Sequence, residues 1–178
     1  MRPAQSRYPR SAWALRESSP VKIVIHIDNG GKLAVTRWFF DNVTKRQVPF
    51  DVIALSYYPF WQGSLTQLQK NLIFAAKTYG KPVLVAETAY PWVETKYWKA
   101  KRNLNFPLTP QGQRQFLEAL ISTVRAVPQN LGLGVLYWYP ESLAVKSPAI
   151  LDWWNGELAL FDREGNALPA LDVFEMGQ

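Results

Sequence analysis

The sequence predicts an α/β fold built on a parallel sheet, and two observations carry this prediction. Four short runs are rich in β-branched and aromatic residues and apolar almost throughout, as in strands that are covered on both faces. Between them lie longer segments whose apolar residues recur with the spacing of an amphipathic helix. Strands that alternate with helices imply parallel neighbours joined by right-handed crossovers. The predicted strands are residues 21–28, 51–58, 82–88 and 132–138.

Three helices are predicted between these strands. The second begins with Ser64 and Gln67, the serine and glutamine of a capping box, and stops at Gly80, a residue type that favours the left-handed turn after a helix. The third begins at Thr109, an N-cap residue followed by Pro110 at the first helical position. The predicted helical segments are residues 32–45, 64–79 and 109 to shortly before 128.

The chain of 178 residues is predicted to form one domain over residues 11–178, after a disordered segment at residues 1–10. A short helix is expected at residues 11–17. A turn is expected at residues 162–166 and a last helical fragment at 170–174. The length is below the roughly 250 residues of a complete β/α barrel.

Composition excludes several classes of protein. There is no cysteine, so disulfides and cysteine-metal sites are ruled out, and His26 is the only histidine, which rules out multi-histidine zinc sites. No apolar run has the length of a membrane span, and the N-terminus lacks the apolar stretch of a secretory signal. We predict no cofactor, no metal and no membrane partner.

The net charge of +6 is mostly scattered, with one local cluster. Basic residues alternate there with Tyr97 and Trp98, a combination found in single-stranded nucleic-acid sites. A solvated loop beside a sugar-binding wall is the interpretation we favour, so no nucleic acid is predicted as a partner. The cluster comprises Lys96, Lys99, Lys101 and Arg102.

Carboxylates, an amide and many aromatic residues follow the four predicted strands. The carboxyl ends of parallel strands meet at one edge, so these residues should share one rim. Aromatic faces stack on the C–H faces of sugars, while Asp, Asn and Glu bond hydroxyl groups, so the rim is typical of a carbohydrate cleft. The strand ends read HIDNGG (26–31), SYYPFW (56–61), ETAYPW (87–92) and YWYPE (137–141).

Glu87 is the most informative residue of this rim, because it ends the apolar run PVLVA. A carboxylate there is costly to bury unless it is paired or used in chemistry. It could act in catalysis, or it could only accept hydrogen bonds from the following loop. The spacing alone does not decide between the two.

Other rim residues also have a purely structural interpretation. Asp28 and Asn29, before two glycines, could form only a turn and a helix cap. His26 alternates with isoleucines and should share a face with Asp28, where an interior histidine is favoured over a catalytic one. Trp138 could be core, whereas Trp154 lies in a polar loop that favours exposure and binding.

Four long motifs resemble glycoside hydrolase family 53, the endo-β-1,4-galactanases. They are DVIALSYYPFWQGSLTQLQKNL (51–72), KPVLVAETAYPW (81–92), GLGVLYWYPES (132–142) and WNGELALFDREGNALPAL (154–171). The resemblance runs from about residue 13 to the C-terminus. It implies a retaining (β/α)8 TIM barrel that cleaves β-1,4-galactan side chains of pectin. The intact family member is expected to be secreted.

The resemblance implies a role for each rim residue. It makes Glu87, in ETAYPW, the nucleophile at the end of barrel strand seven. The remaining rim residues are expected to bind the polysaccharide substrate, with Glu141 at the edge of the cleft rather than as the acid. The expected binding residues are His26, Asp28, Asn29, Tyr58, Trp61, Tyr90, Trp92, Trp138, Glu141 and Trp154.

The same mapping predicts only the C-terminal half barrel, four parallel strands with helices that correspond to barrel strands five to eight. The family's general acid/base belongs to an Asn-Glu motif at strand four, and this sequence contains no Asn-Glu dipeptide. Half a barrel leaves two open sheet edges, through which two copies could associate. A truncated gene product is the favoured account. Two hypotheses follow: part of a galactanase, or a non-catalytic galactan-binding remnant.

Overall fold

The computed structural model describes residues 21–142 and 153–177. Four parallel strands form one sheet in chain order, which confirms the predicted α/β architecture. Each strand is shorter than the apolar run that predicted it, because the ends of the runs turn into loops. The strands are β1 Val24–Ile27, β2 Val52–Ser56, β3 Val83–Glu87 and β4 Gly132–Val135. The helix expected at 11–17 and the disorder expected at 1–10 lie outside the described residues.

The three long helices form where the sequence places them, and two short helices are added in the loops after β2 and β3. The short helices have four residues each, too few to show a periodic pattern in the sequence. The helices are α1 Leu33–Lys45, α2 Pro59–Gln62, α3 Leu65–Tyr79, α4 Lys96–Lys99 and α5 Pro110–Arg125.

The predicted caps of α3 and α5 are present. The Ser64 hydroxyl accepts from the Gln67 N–H at 3.3 Å, and the Gln67 side chain accepts from the Ser64 N–H at 2.8 Å. Gly80 follows α3 with a φ of 60°, in the left-handed region. The Thr109 hydroxyl accepts from the Gly112 N–H at 3.1 Å. Local sequence therefore fixes these three helix ends.

The segment after β1 forms a turn but not the helix cap that was its alternative interpretation. Asn29 has a φ of 66°, and its carbonyl accepts from the Lys32 N–H at 2.8 Å. The N-cap of α1 is Lys32, which makes no side-chain capping bond. Asp28 and Asn29 lie too far before the helix to cap it, so their side chains are not committed to that role.

The core lies between the sheet and the three long helices. Ile53 and Leu55 of β2 and Val83 and Val85 of β3 are fully buried on this side. The helices supply buried residues that pack against them, namely Phe40, Leu68, Leu72, Ala75, Leu117, Leu120 and Val124. Burial of this kind contributes about 1.5–3 kcal/mol for each large aliphatic side chain.

The other face of the sheet is partly open at its margins. Val24 on β1 is 46% exposed, and Leu136, directly after β4, is 55% exposed. The expectation that the strands are covered on both faces is therefore wrong for the two outer strands. This exposure is what a half barrel requires, because its inner face has no opposite strands to pack against.

The C-terminal segment closes the fold with short elements. Phe161 and Ala167 form an isolated antiparallel bridge around the predicted turn, in which Asp162 Oδ1 accepts from the N–H groups of Glu164 and Asn166. A 3₁₀ helix over Leu171–Gly177 replaces the predicted fragment at 170–174. None of the helices in residues 21–142 and 153–177 has the length and apolarity needed to cross a bilayer.

Candidate active site at the carboxyl ends of the strands

An irregularity in the register between β2 and β3 changes the face of the sheet toward which the Glu87 side chain points. Regular alternation would place Glu87 on the helix side of the sheet, together with Val85. Leu55 pairs with Val85, but the next residue, Ser56, pairs with Glu87. Ala86 is therefore an extra residue, as in a β-bulge. In consequence, Glu87 faces the same side of the sheet as Ser56.

A chain of hydrogen bonds holds one oxygen of the Glu87 carboxylate. The Ser56 hydroxyl donates to Oε2 at 3.0 Å, and the Tyr58 hydroxyl donates to the same oxygen at 3.2 Å. His26 Nε2 lies 2.8 Å from the Ser56 Oγ. Because Ser56 has one proton and gives it to Glu87, the His26 Nε2 must carry a proton and donate to Ser56. Three neighbouring strands or strand ends therefore position one carboxylate.

Tyr58 is built to remain a donor to this carboxylate. Its side chain is buried, and burial raises the pKa of Tyr58 above its ordinary value. The negative charge of Glu87 and the hydrogen bond to it raise the pKa of Tyr58 further. The phenol therefore stays protonated throughout the neutral range.

The carboxylate of Glu87 has one oxygen held and one oxygen open. Glu87 is half-buried, and its Oε1 makes no hydrogen bond with any residue in the described ranges. The two hydrogen bonds to Oε2 fix the plane of the carboxylate. This plane determines the direction in which Oε1 points. A carboxylate presented in this way is suited to attack an electrophilic carbon.

Gly30 brings the end of β1 against the end of β2. Its N–H donates to the Ser56 carbonyl at 2.8 Å, and a Cβ at this position would lie 2.7 Å from that oxygen. Such a contact is too short for any side chain. The glycine therefore permits the close approach that places His26 within reach of Ser56.

An aromatic wall extends from the carboxylate. The ring of Tyr58 lies 5.3 Å from that of Trp61 and 5.9 Å from that of Trp153, and Trp61 lies 6.2 Å from Trp154. Trp61 is 48% exposed. The predicted residues Glu87, Tyr58, Trp61 and Trp154 are thus joined by one continuous series of contacts.

Two predicted binding residues do not present a free side chain. Tyr90 is fully buried, its ring stacks on Phe116 at 4.6 Å, and its hydroxyl donates to the Phe106 carbonyl at 2.7 Å. The prediction that Tyr90 contacts substrate is wrong for this structure, because the side chain belongs to the core. Trp92 is half-buried, and its indole N–H donates to the Gly156 carbonyl at 2.8 Å, so it ties two loops together.

The remaining predicted residues lie on the rim without contacting Glu87. Asp28 is exposed and Asn29 is half-buried in its turn. Trp138 is 42% exposed, and Glu141 is exposed directly beyond it. Within residues 21–142 and 153–177, no hydrogen bond joins any of these four side chains to the carboxylate. They remain available to a ligand.

The sequence did not predict a buried network of hydrogen bonds beneath the site. The Gln113 amide nitrogen donates to the Tyr90 carbonyl at 2.8 Å and to the Ala159 carbonyl at 2.9 Å. The Tyr137 hydroxyl donates to the Leu158 carbonyl at 2.7 Å. One signal was available: Gln113 lies on the same helical stripe as the core residues of α5. A glutamine on a buried stripe indicates a polar partner inside.

Ser56 was also missed, although it is the centre of the hydrogen-bond chain. It is 4% exposed and follows the apolar run of β2. Its place between a histidine and a glutamate depends on pairing among three strands, which no local pattern in the sequence contains.

The basic cluster lies in the loop that follows β3, separate from the Glu87 carboxylate. Trp98 is fully buried and its indole N–H donates to Glu157 at 2.6 Å, whereas Tyr97 is 39% exposed. Lys99 pairs with Glu94 at 2.7 Å. In the part of the chain that the structure describes, no group of three or more His, Cys, Asp or Glu side chains could hold a metal ion.

A parallel β/α sheet with a positioned carboxylate and an aromatic wall at its carboxyl ends defines part of a β/α barrel with a candidate site at the usual end of the strands. Residues 7–174 match the sequence profile described as glycosyl hydrolase family 53, and the chain belongs to this family.

Relatives and solved structures agree with this assignment. The chain is 30% identical to the endo-β-1,4-galactanase of Bacillus subtilis (strain 168), over 93% of this chain and 48% of that protein. It is 32% identical to the arabinogalactan endo-β-1,4-galactanase of Thermothelomyces thermophilus, over 93% of this chain and 52% of that protein. The solved GH53 catalytic domain of Ignisphaera aggregans superposes with a TM-score of 0.80 at 31% identity, over 93% of this chain and 49% of that one. The chain thus spans about half the length of the relatives it matches.

Proposed function

We propose that this chain carries the nucleophile half of a retaining endo-β-1,4-galactanase, with Glu87 as the nucleophile. One observation supports the proposal above all: Ser56 and Tyr58 hold Oε2 of Glu87, while Oε1 has no hydrogen-bond partner among residues 21–142 and 153–177. The half-exposed Trp61 beside this carboxylate provides a platform for a sugar ring.

In the proposed reaction, Oε1 of Glu87 attacks the anomeric carbon of a galactose unit, and the bond to the leaving sugar oxygen breaks. The hydrogen bonds from Ser56 and Tyr58 keep the carboxylate in one plane for this attack. Retention requires a second carboxyl group about 5–5.5 Å away to protonate the leaving oxygen and then activate water. The covalent galactosyl ester is released by that water, which regenerates the carboxylate.

We propose that the second carboxyl group is supplied by a complementary half barrel. Among the rim residues of this chain, Asp28 and Glu141 have exposed carboxylates. The family resemblance makes both of them binding residues and not the general acid. Without a general acid, turnover of polysaccharide is expected to fall by about 10²- to 10⁴-fold. Both the formation of the intermediate from galactan and its breakdown need this group, so the chain by itself should form the intermediate only from a substrate whose leaving group departs without protonation.

An aryl β-galactobioside with a dinitrophenyl leaving group separates these two abilities. Dinitrophenolate leaves without protonation, so the purified chain should release it in a burst and gain the mass of one galactobiosyl group on Glu87. Glu87→Gln should abolish both signals. Glu164→Gln, which removes an exposed carboxylate from the turn at residues 162–166, is the matched control and should leave the burst intact. A folded wild-type chain that gives neither burst nor adduct would rule out Glu87 as nucleophile.

The second candidate function is non-catalytic binding of galactan, favoured by the exposed aromatic wall. It predicts that affinity electrophoresis in galactan retards wild type and Glu87→Gln equally, with no chemistry on either. Trp61→Ala should weaken that retardation under both hypotheses. Binding without an adduct would therefore select the second candidate.

We also propose that two copies associate through the open edges of the sheet. β1 and β4 are the outer strands, and both carry exposed apolar positions nearby. A two-fold dimer would pair β4 of one copy with β1 of the other, in parallel, twice. Sedimentation velocity over a range of concentrations tests this, and a monomer at all concentrations would contradict it.

A further inference from the structure

A second concavity lies at the far end of the aromatic wall. This distal pocket is lined by residues 95–97, 153–155 and Glu157 and has a volume of ≈ 800 Å³. That volume is in the range of small-molecule binding sites. None of its lining residues takes part in the hydrogen bonds to Glu87, so its role is not that of the reacting centre.

The aromatic side of the distal pocket is held in an unfavourable backbone conformation. Trp154 has a φ of 54° and Asn155 a φ of 52°, both in the left-handed region. A bulky residue rarely adopts this region, and such strain is concentrated at ligand sites. It places the Trp154 indole 4.8 Å from the Tyr97 ring, with an angle of 30° between the planes.

Two charged residues line the distal pocket, Lys96 and Glu157. Lys96 lines it and makes no ion pair with any residue in the described ranges, and Lys101 Nζ lies 4.2 Å from the centre of the Tyr97 ring. The Trp98 indole N–H donates to Oε2 of Glu157 at 2.6 Å, but this neutral donor does not cancel a carboxylate charge. An ammonium group such as that of Lys96 forms a stronger bond with a carboxylate than with a neutral sugar hydroxyl.

We propose that the distal pocket binds a carboxylate-bearing sugar, that is, a uronic acid residue of an acidic oligosaccharide. The aromatic wall would contact the C–H face of the ring and Lys96 would pair with its carboxylate. The inference rests on the proposed function only in taking a saccharide as ligand. It does not require Glu87 to be catalytic. Basic and aromatic residues also suit single-stranded nucleic acid, which becomes an outcome of the test.

Isothermal titration calorimetry on the Glu87→Gln chain tests the pocket without any hydrolysis. The probes are digalacturonate, galactobiose and a short oligodeoxythymidylate, each at low and high salt. Lys96→Gln should weaken digalacturonate binding by about two- to fivefold, the range of an exposed charge pair. It should leave galactobiose binding unchanged, and high salt should reduce the difference between the two sugars. Lys70→Gln, an exposed lysine on α3, is the charge-matched control and should change neither.

A Tyr97→Ala variant gives the second line of evidence, since it removes an exposed part of the wall and should weaken both sugars. Equal affinity for the two sugars, or an unchanged digalacturonate affinity in Lys96→Gln, would overturn the proposal. So would tighter binding of the oligonucleotide than of digalacturonate. Each of these results leaves the burst test of Glu87 unaffected, so the two proposals fail separately.

Discussion

Replacing Ser56 by alanine tests whether the hydrogen-bond chain at Glu87 is real and charged. The hydroxyl is 4% exposed and joins Glu87 at 3.0 Å to His26 at 2.8 Å. A bond to a charged acceptor contributes about 1.5–3 kcal/mol to stability and a neutral bond about 0.5–1.5 kcal/mol. Because both partners are at least partly exposed, the lower ends apply, and Ser56→Ala should lower the free energy of unfolding by about 2 kcal/mol.

The assay is urea unfolding of four proteins in a double-mutant cycle: wild type, Ser56→Ala, Glu87→Gln and the double variant. In the Glu87→Gln background the serine meets a neutral amide oxygen, so its loss should cost about 1 kcal/mol less than in wild type. The bond to His26 is lost in both backgrounds and cancels. The slope of the transition must stay constant for the midpoints to be compared.

A coupling below a few tenths of a kcal/mol would refute the reasoning, because contacting residues couple by about 0.5–3 kcal/mol and independent ones add. Ser122→Ala provides the control. Ser122 is exposed on α5, far from the site in the fold, and its replacement should be additive with Glu87→Gln.

Three further predictions concern stability. Ser64→Ala should lower the free energy of unfolding by about 1 kcal/mol through loss of the cap, whereas Thr66→Ala on the exposed side of the same turn should change it by under about 0.5 kcal/mol in urea. Burial raises the pKa of Tyr90 from 10.0 to about 12, so the folded state holds this proton longer than the unfolded chain. The contribution of this proton to the free energy of unfolding is therefore fully present below pH 10. It should be lost as the pH rises from there towards about 12. Tyrosinate absorbance and near-ultraviolet circular dichroism should change together, and absorbance rising without loss of structure would contradict this. Gln129→Gly relieves a φ of 61° and should stabilise by about 0.5–1 kcal/mol, and a lower melting temperature would argue against strain there.

Much of the fold could be predicted from the sequence because its determinants are local. The four apolar runs and three periodic segments specify the strands and long helices, and Ser64, Gly80 and Thr109 specify helix ends within one turn of chain. The family resemblance adds the expected role of Glu87. These signals need no knowledge of which strand pairs with which.

The parts that escaped prediction depend on contacts between distant segments. Ser56 acquires its place from the pairing of β1, β2 and β3, and Tyr90 enters the core because Phe116 of α5 stacks on it. Beyond the end of a strand, alternation no longer indicates which way a side chain faces. A rim position in the sequence therefore fails to distinguish a binding tyrosine from a packing one.

The extra residue in β3, Ala86, determines on which face of the sheet Glu87 lies. Deletion of Ala86 would restore regular alternation and direct Glu87 into the apolar layer beneath the helices. There an unpaired carboxylate is not tolerated in its charged form. A one-residue deletion that looks like harmless length variation would thus exchange the proposed nucleophile for a core defect, so the proposed chemistry depends on Ala86 as much as on the glutamate itself.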